Sequence, residues 1–126
     1  MTLVTLAAIA FGGLAVVVCL FQFALALGAP LGHLAMGGRW PGKMPIPARV
    51  SAVVQGGLMV AMARIVLGQA GVFTQVGPNW LIWLVVAITG LSTLLNNITP
   101  SAPERRLWGP VTVVMFLCAI YVAVAA

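Results

Sequence analysis

The sequence predicts an all-α fold, a bundle of four transmembrane helices with termini outside and two basic cytoplasmic loops. Three observations predict it. Of 126 residues, 63% are apolar and 6% are charged, where an ordinary soluble domain carries about 25% charge. The apolar residues gather in four stretches of about 17–27 residues, each long enough to cross a hydrocarbon core of about 30 Å. Proline and glycine cluster in the gaps between them, where helices end or begin. This pattern excludes a soluble globular domain, a disordered chain, a coiled coil and a disulfide-stapled module. One integral membrane domain, residues 1–126, accounts for the chain.

The first span is expected at about 2–27. No basic residue precedes it, and it exceeds the apolar core of about 7–15 residues found in signal peptides, so it reads as a helix that stays. The second span is expected at about 50–71, after Pro41, Gly42, Pro45 and Pro47. Gly77 and Pro78 precede the third, at about 80–99; Pro100, Pro103 and Pro110 precede the fourth, at about 111–126. Cys19 and Cys118 fall near mid-span and read as small buried hydrophobes.

Charge sets the orientation. Arg39, Lys43 and Arg49 lie between the first two spans, Arg105 and Arg106 between the last two, and the segment Val72–Asn79 carries no charge. The positive-inside rule places both basic loops in the cytoplasm. This is the expected topology of a multi-pass protein of a bacterial cytoplasmic (inner) membrane. The net charge of +5 then reads as attraction to anionic lipid headgroups rather than to nucleic acid. Trp40, Trp80 and Trp108 fall at span ends and read as interfacial anchors.

Polar residues inside spans carry the functional information, because in hydrocarbon each needs a partner. Thr89, Ser92, Thr93, Asn96 and Asn97 fall within an arc of about 140° on the third helix, with Leu84, Ala87, Ile88, Leu91 and Leu95 on the other side. Ser51, Gln55, Met59, Met62 and Gln69 share a face of the second helix. Gln22 shares a face of the first with Ala8, Ala15 and Ala26, small residues that allow close packing. Gln22, Gln55, Thr93, Asn96 and Asn97 are therefore candidates for one polar ligand-binding pocket, or for interhelical hydrogen bonds that only fix packing. Arg64 is the lone formal charge within a span. It either snorkels to the outer headgroups or lies buried in a seam with Gly57, Ala61 and Gly68, as a further ligand-binding candidate or paired with the C-terminal carboxylate.

Ala29–Gly38 is uncharged and broken by Pro30 and glycines, as expected of a segment that dips into the membrane or lies in its interface. His33 at its centre reads as a hydrogen-bonding anchor; haem ligation with Met36 has no other support. Ser101-Ala-Pro-Glu104 fits a helix-capping box, which accounts for the only acidic side chain in the sequence.

Several chemistries lack their residues. No Asp or Glu falls within an expected span, which argues against a proton-coupled exchanger. There is no metal-ligand cluster, CxxC pair or phosphate loop, so neither a metal nor another cofactor is implied. One His and one Glu in separate loops make a thin acid–base set.

Residues 28–49, GAPLGHLAMGGRWPGKMPIPAR, and 94–108, LLNNITPSAPERRLW, resemble a group of small four-span bacterial membrane proteins with a GAPxG…MGG…PxxxR loop and an NxITPSxxER…W segment. The resemblance implies the four-span fold and no particular activity. Where that group carries Glu, this chain has His33. The resemblance also implies that Pro30, Gly37, Gly38, Arg49, Asn97, Pro100, Glu104 and Arg105 belong together. Physically, His33, Arg49, Glu104 and Arg105 would dock the two loops, with an Arg49–Glu104 ion pair over the polar pocket.

Three functions follow as expectations. The first is a non-enzymatic homo-oligomer or accessory subunit, with the lipid bilayer and itself or another membrane protein as partners. The second is an oligomeric channel or transporter for a small or anionic solute. The third is a membrane-embedded enzyme acting on a lipid or quinone, with His33 and Glu104 as acid–base groups.

Overall fold

The computed structural model describes residues Met1–Ala126. It is all-helical: α1 (Leu3–Ala26), α2 (Ile46–Gln69), α3 (Leu81–Ile98) and α4 (Ala102–Ala125), with two 3₁₀ turns, Gly32–Leu34 and Met36–Gly38, between α1 and α2. All four α-helices are long and apolar enough to cross a membrane.

Local chemistry sets the helix ends. The Thr2 hydroxyl accepts from Thr5 N to open α1, and Pro47 lies in the first turn of α2, where its missing N–H has no intrahelical partner to lose. Both α1 and α2 end in a Schellman motif. Gly28 N donates to Leu25 O and Ala29 N to Ala24 O; Gly71 N donates to Gly68 O and Val72 N to Leu67 O.

The fourth helix departs from the sequence expectation. It starts at Ala102, not near Val111, and carries Pro110 within it. The Ser101 hydroxyl accepts from Glu104 N at 3.3 Å, so the capping box and the span form one helix. Pro110 withholds the N–H that would have gone to Arg106 O, but Arg106 lies on the exposed side near the helix end, where that carbonyl can be solvated.

The helices pack in the order α2, α1, α4, α3, with α2 and α3 meeting only sparsely. At the end away from the basic loops the bundle is closed. Ala8 and Phe11 of α1, Val66 of α2, Ile82 and Val85 of α3, and Val122 of α4 are all fully or almost fully buried in one cluster. Ala8 and Ala15 let α1 approach its neighbours closely, as their shared face suggests. The small-residue seam of α2 is Ala48, Ala52 and Gly56, all buried. Gly57 and Ala61 are exposed, and a Cβ added at Gly57 would meet nothing within 4 Å. Gly57 and Ala61 of the expected seam are thus one residue out of phase, a rotation of about 100°, whereas its third member, Gly68, is buried against Arg64.

At the basic end a second cluster forms. Leu25, Ala35, Met44, Ala48 and Ala52 bury one another, with Phe21, Leu31 and Trp40 against them. Residues 29–44 therefore form a packed cap rather than a free loop. Both cysteines are free; Cys19 Sγ lies 3.7 Å from Gly56 O.

Candidate functional site

Between the closed end of the bundle and the packed cap lies a cleft of about 640 Å³, bordered by α2 and α3 where they meet only sparsely. That volume is in the range of small-molecule sites. The cleft runs along α3 from Ile88 to Ile98, about 15 Å at 1.5 Å per residue, or half of a hydrocarbon core. Met62, Thr89 and Met115 lie at its inner limit, and Pro100 and Glu104 at the basic end. Leu58, Leu91 and Leu95 stand at its opening with exposed apolar side chains.

Three of the five pocket candidates line this cleft, Gln22, Gln55 and Asn96, together with Thr89 and Ser92 of the α3 stripe. Gln22 Nε2 donates to Gln55 Oε1 at 3.3 Å, and Gln55 Nε2 donates to Ser51 Oγ at 3.0 Å. Gln22 Oε1 is buried without a partner. The amide of Asn96 turns back onto its own helix, to Ser92 O at 2.7 Å.

Thr93 and Asn97 do not join them. Thr93 Oγ1 donates to Thr112 O at 3.0 Å, and Asn97 Nδ2 lies 3.5 Å from Gly109 O. Both bonds tie α3 to the backbone of α4. Gly109 makes this possible, since a Cβ there would lie 2.8 Å from Asn97 Oδ1. The polar stripe of α3 is thus shared between a helix interface and a cleft.

Arg64 is also apart, near the opposite end of the bundle. Its guanidinium carbon lies 5.5 Å from the Phe73 ring centroid, and it borders a separate hollow with Val72 and Thr74. Nη1 is buried and has no partner, and no ion pair joins the guanidinium to the C-terminal carboxylate, one of the alternatives the sequence offered.

A hydrogen-bonded latch forms the basic end of the cleft. Glu104 Oε2 accepts from Gly37 N at 3.0 Å, Ser101 Oγ donates to His33 O at 2.6 Å, and Trp108 Nε1 donates to Leu34 O at 3.0 Å. These bonds hold residues 33–37 against the first two turns of α4. Met36, Gly37 and Gly38 all have positive φ, at 51°, 72° and 71°. This left-handed turn is natural for glycine and strained for methionine. In the full capping box the Glu carboxylate would return to the N–H of Ser101. Here it goes to Gly37, while Ser101 N turns to Thr99 Oγ1 at 3.3 Å.

The loops are therefore docked, but not by an Arg49–Glu104 ion pair. Arg49 Nε donates to Ala26 O at 2.9 Å, at the C-terminal end of α1, where a cation complements the helix dipole. Arg105 Nη1 donates to Thr99 O at 2.7 Å, closing the α3–α4 turn. The side chain of His33 does not line the cleft; only its carbonyl takes part in the latch. No group of three or more metal-binding side chains occurs.

Sequence reasoning missed Trp108 as a site residue. It reads as an interfacial anchor, as exposed Trp80 does, yet it is 7% exposed and packs on Phe21 with ring centroids 4.8 Å apart. Its spacing of four from Glu104 puts both on one face of α4, a signal that becomes visible only once the helix is known to start at Ala102. No protein-family model, curated protein or solved structure matches the chain.

Proposed function

We propose that the protein is a non-enzymatic, membrane-embedded binding protein whose cleft admits one amphiphile sideways from the bilayer. The observation that carries this reading is the half-depth cleft itself, bordered by the sparsely packed α2 and α3, lined mostly by apolar side chains, with Gln22, Gln55 and Ser92 among them and its one charged group, Glu104, at the basic end. The positive-inside count supports cytoplasmic loops in a bacterial inner membrane, so the head of the amphiphile would sit at the cytoplasmic leaflet and its tail at mid-bilayer. Lacking a paired acid and base, the protein would act as an accessory subunit or homo-oligomer that holds the molecule for a partner.

A channel within one chain has less support, because the buried cluster around Phe11, Val66 and Ile82 closes the other half of the bundle. An enzyme has less support because His33 and Glu104 do not share the cleft. A second reading rests on the same opening: a helix of a second copy covers it. The cleft's length of about 15 Å favours a molecule of one leaflet over a helix that crosses both.

Native mass spectrometry after gentle extraction tests the proposal. The expected result is one bound amphiphile per chain, lost in a Ser92→Trp variant that fills the cleft while keeping its helix content. An empty protein, or copies cross-linked across α2 and α3, would overturn it.

A further inference from the structure

We infer that the cleft selects an amphiphile with an ammonium head, held by Glu104 against the Phe21–Trp108 aromatic pair. This rests on the binding reading above and adds the chemistry of the head.

Charge distribution is the first argument. The chain has six Lys and Arg residues and one side-chain carboxylate. None of the six lines the cleft, and the carboxylate does. Glu104 is 6% exposed, and its bond is to a neutral amide, Gly37 N. Arg49 and Arg105, the arginines expected beside it, are turned to the Ala26 and Thr99 carbonyls. A buried carboxylate without a counter-charge is costly, and the start of α4 offers it only a fraction of one. An ammonium group supplies a whole charge. A phosphate or carboxylate head would meet repulsion and find no cation.

The aromatic pair is the second argument. Trp108 follows Glu104 by one helical turn, and both it and Phe21 line the cleft. Indole and phenyl faces attract alkylammonium groups, and this attraction grows where water is excluded. Gln22 Oε1, buried and unpartnered on a residue that lines the same cleft, is a further acceptor for an N–H donor. Met59, Met62 and Met115 line the deeper part, and flexible thioether chains adapt to a tail of variable shape.

The ammonium could come from the ethanolamine headgroup of a bilayer lipid, whose phosphodiester would then have to stay outside the cleft, which holds no cation to receive it, or from a free cationic amphiphile. Calorimetry in uncharged micelles would compare decyltrimethylammonium, decanol and decyl phosphate. The ammonium compound should bind about tenfold more tightly than decanol, a difference that one favourable charge contact accounts for. Decyl phosphate should not bind. Glu104→Gln keeps an oxygen for Gly37 N–H and removes the charge, so it should bring the ammonium compound to the level of decanol. Phe21→Leu should weaken only the ammonium compound, and it serves as the test if Glu104→Gln does not fold.

Nanodiscs with and without phosphatidylethanolamine separate the sources. Retention of that lipid assigns the head to the bilayer; displacement by the free amphiphile without such retention assigns it to a soluble cation. Equal binding of decyl phosphate, or an ammonium affinity unchanged by both substitutions, overturns the ammonium assignment. In that case decanol binding that Ser92→Trp abolishes leaves the cleft reading standing. No binding of any of the three compounds overturns both.

Discussion

The carboxylate of Glu104 accepts the backbone N–H of Gly37, 67 residues earlier in the chain, at 3.0 Å. This bond joins the first turn of α4 to the left-handed Met36–Gly38 turn. Replacing Glu104 by Ala leaves the half-buried Gly37 amide without its acceptor, at a cost of about 1 kcal/mol, whereas Gln retains an acceptor and should lose less. Thermal unfolding in a mild detergent should rank the proteins wild type, Glu104→Gln, Glu104→Ala in falling stability. Equal melting of Gln and Ala variants would show that the bond contributes nothing.

A double-mutant cycle checks the partners of the two loop charges. Arg49 bonds to Ala26 O and Glu104 to Gly37 N. The Arg49→Ala and Glu104→Ala losses should therefore add within about 0.5 kcal/mol. A larger coupling would restore the ion pair that the sequence suggested.

Gly32 tolerates no side chain. A Cβ at this position would lie 1.7 Å from Trp40 O and 2.6 Å from Gly42 O, both backbone atoms that cannot swing away. Gly32→Ala should cost at least the upper part of the usual overpacking range of about 1–3 kcal/mol. Gly57→Ala is the control: it meets nothing within 4 Å and should be neutral or stabilising by about 1 kcal/mol. Comparable losses for both would place the cap elsewhere than described.

Trp108→Phe keeps an aromatic ring against Phe21 and removes the donor to Leu34 O. Overall stability should fall by about 1 kcal/mol. Amide hydrogen exchange should accelerate at residues 34–37 before it does so in the cluster around Phe11 and Val66. Uniform acceleration through the chain would mean that the latch is not a separate unit.

Arg64 should behave unlike a structural charge. Its Nη1 is buried without a partner, so Arg64→Met removes an unsatisfied donor and keeps the packing on Phe73. Melting temperature and oligomeric state should be unchanged or improved. A marked loss would identify an anion bound there.

The spans were legible because length, apolarity and proline spacing are properties of the chain alone. The capping box at Ser101 and the glycines after α1 and α2 were equally local. The start of α4 was not, because Pro110 reads as a stop; only the exposed placement of Arg106 shows why the helix tolerates it. Helix rotation was also obscure. In a lipid-facing bundle both the buried and the exposed faces are apolar, so Ala52–Gly56 and Gly57–Ala61 look alike until α1 is placed. For the same reason the stripe on α3 gave the polar positions but not their division, with Thr93 and Asn97 against α4 and Asn96 in the cleft. The Arg49–Glu104 expectation failed because backbone groups, which no residue pattern displays, competed successfully for both side chains.

The packing order α2, α1, α4, α3 has a consequence for biogenesis. Chains emerge N-terminal end first, so α1, the cap and α2 are made while Glu104, Ser101 and Trp108 do not yet exist. The early hairpin must wait with the Gly37 amide and the His33 and Leu34 carbonyls unmatched, and its α1 flank is sealed only when the fourth helix arrives. A ribosome stalled before Ala102 would leave a nascent protein with two helices in contact and its cap unlocked. Quality-control proteases would meet that cap as accessible chain, and completion of the last helix would remove it from their reach.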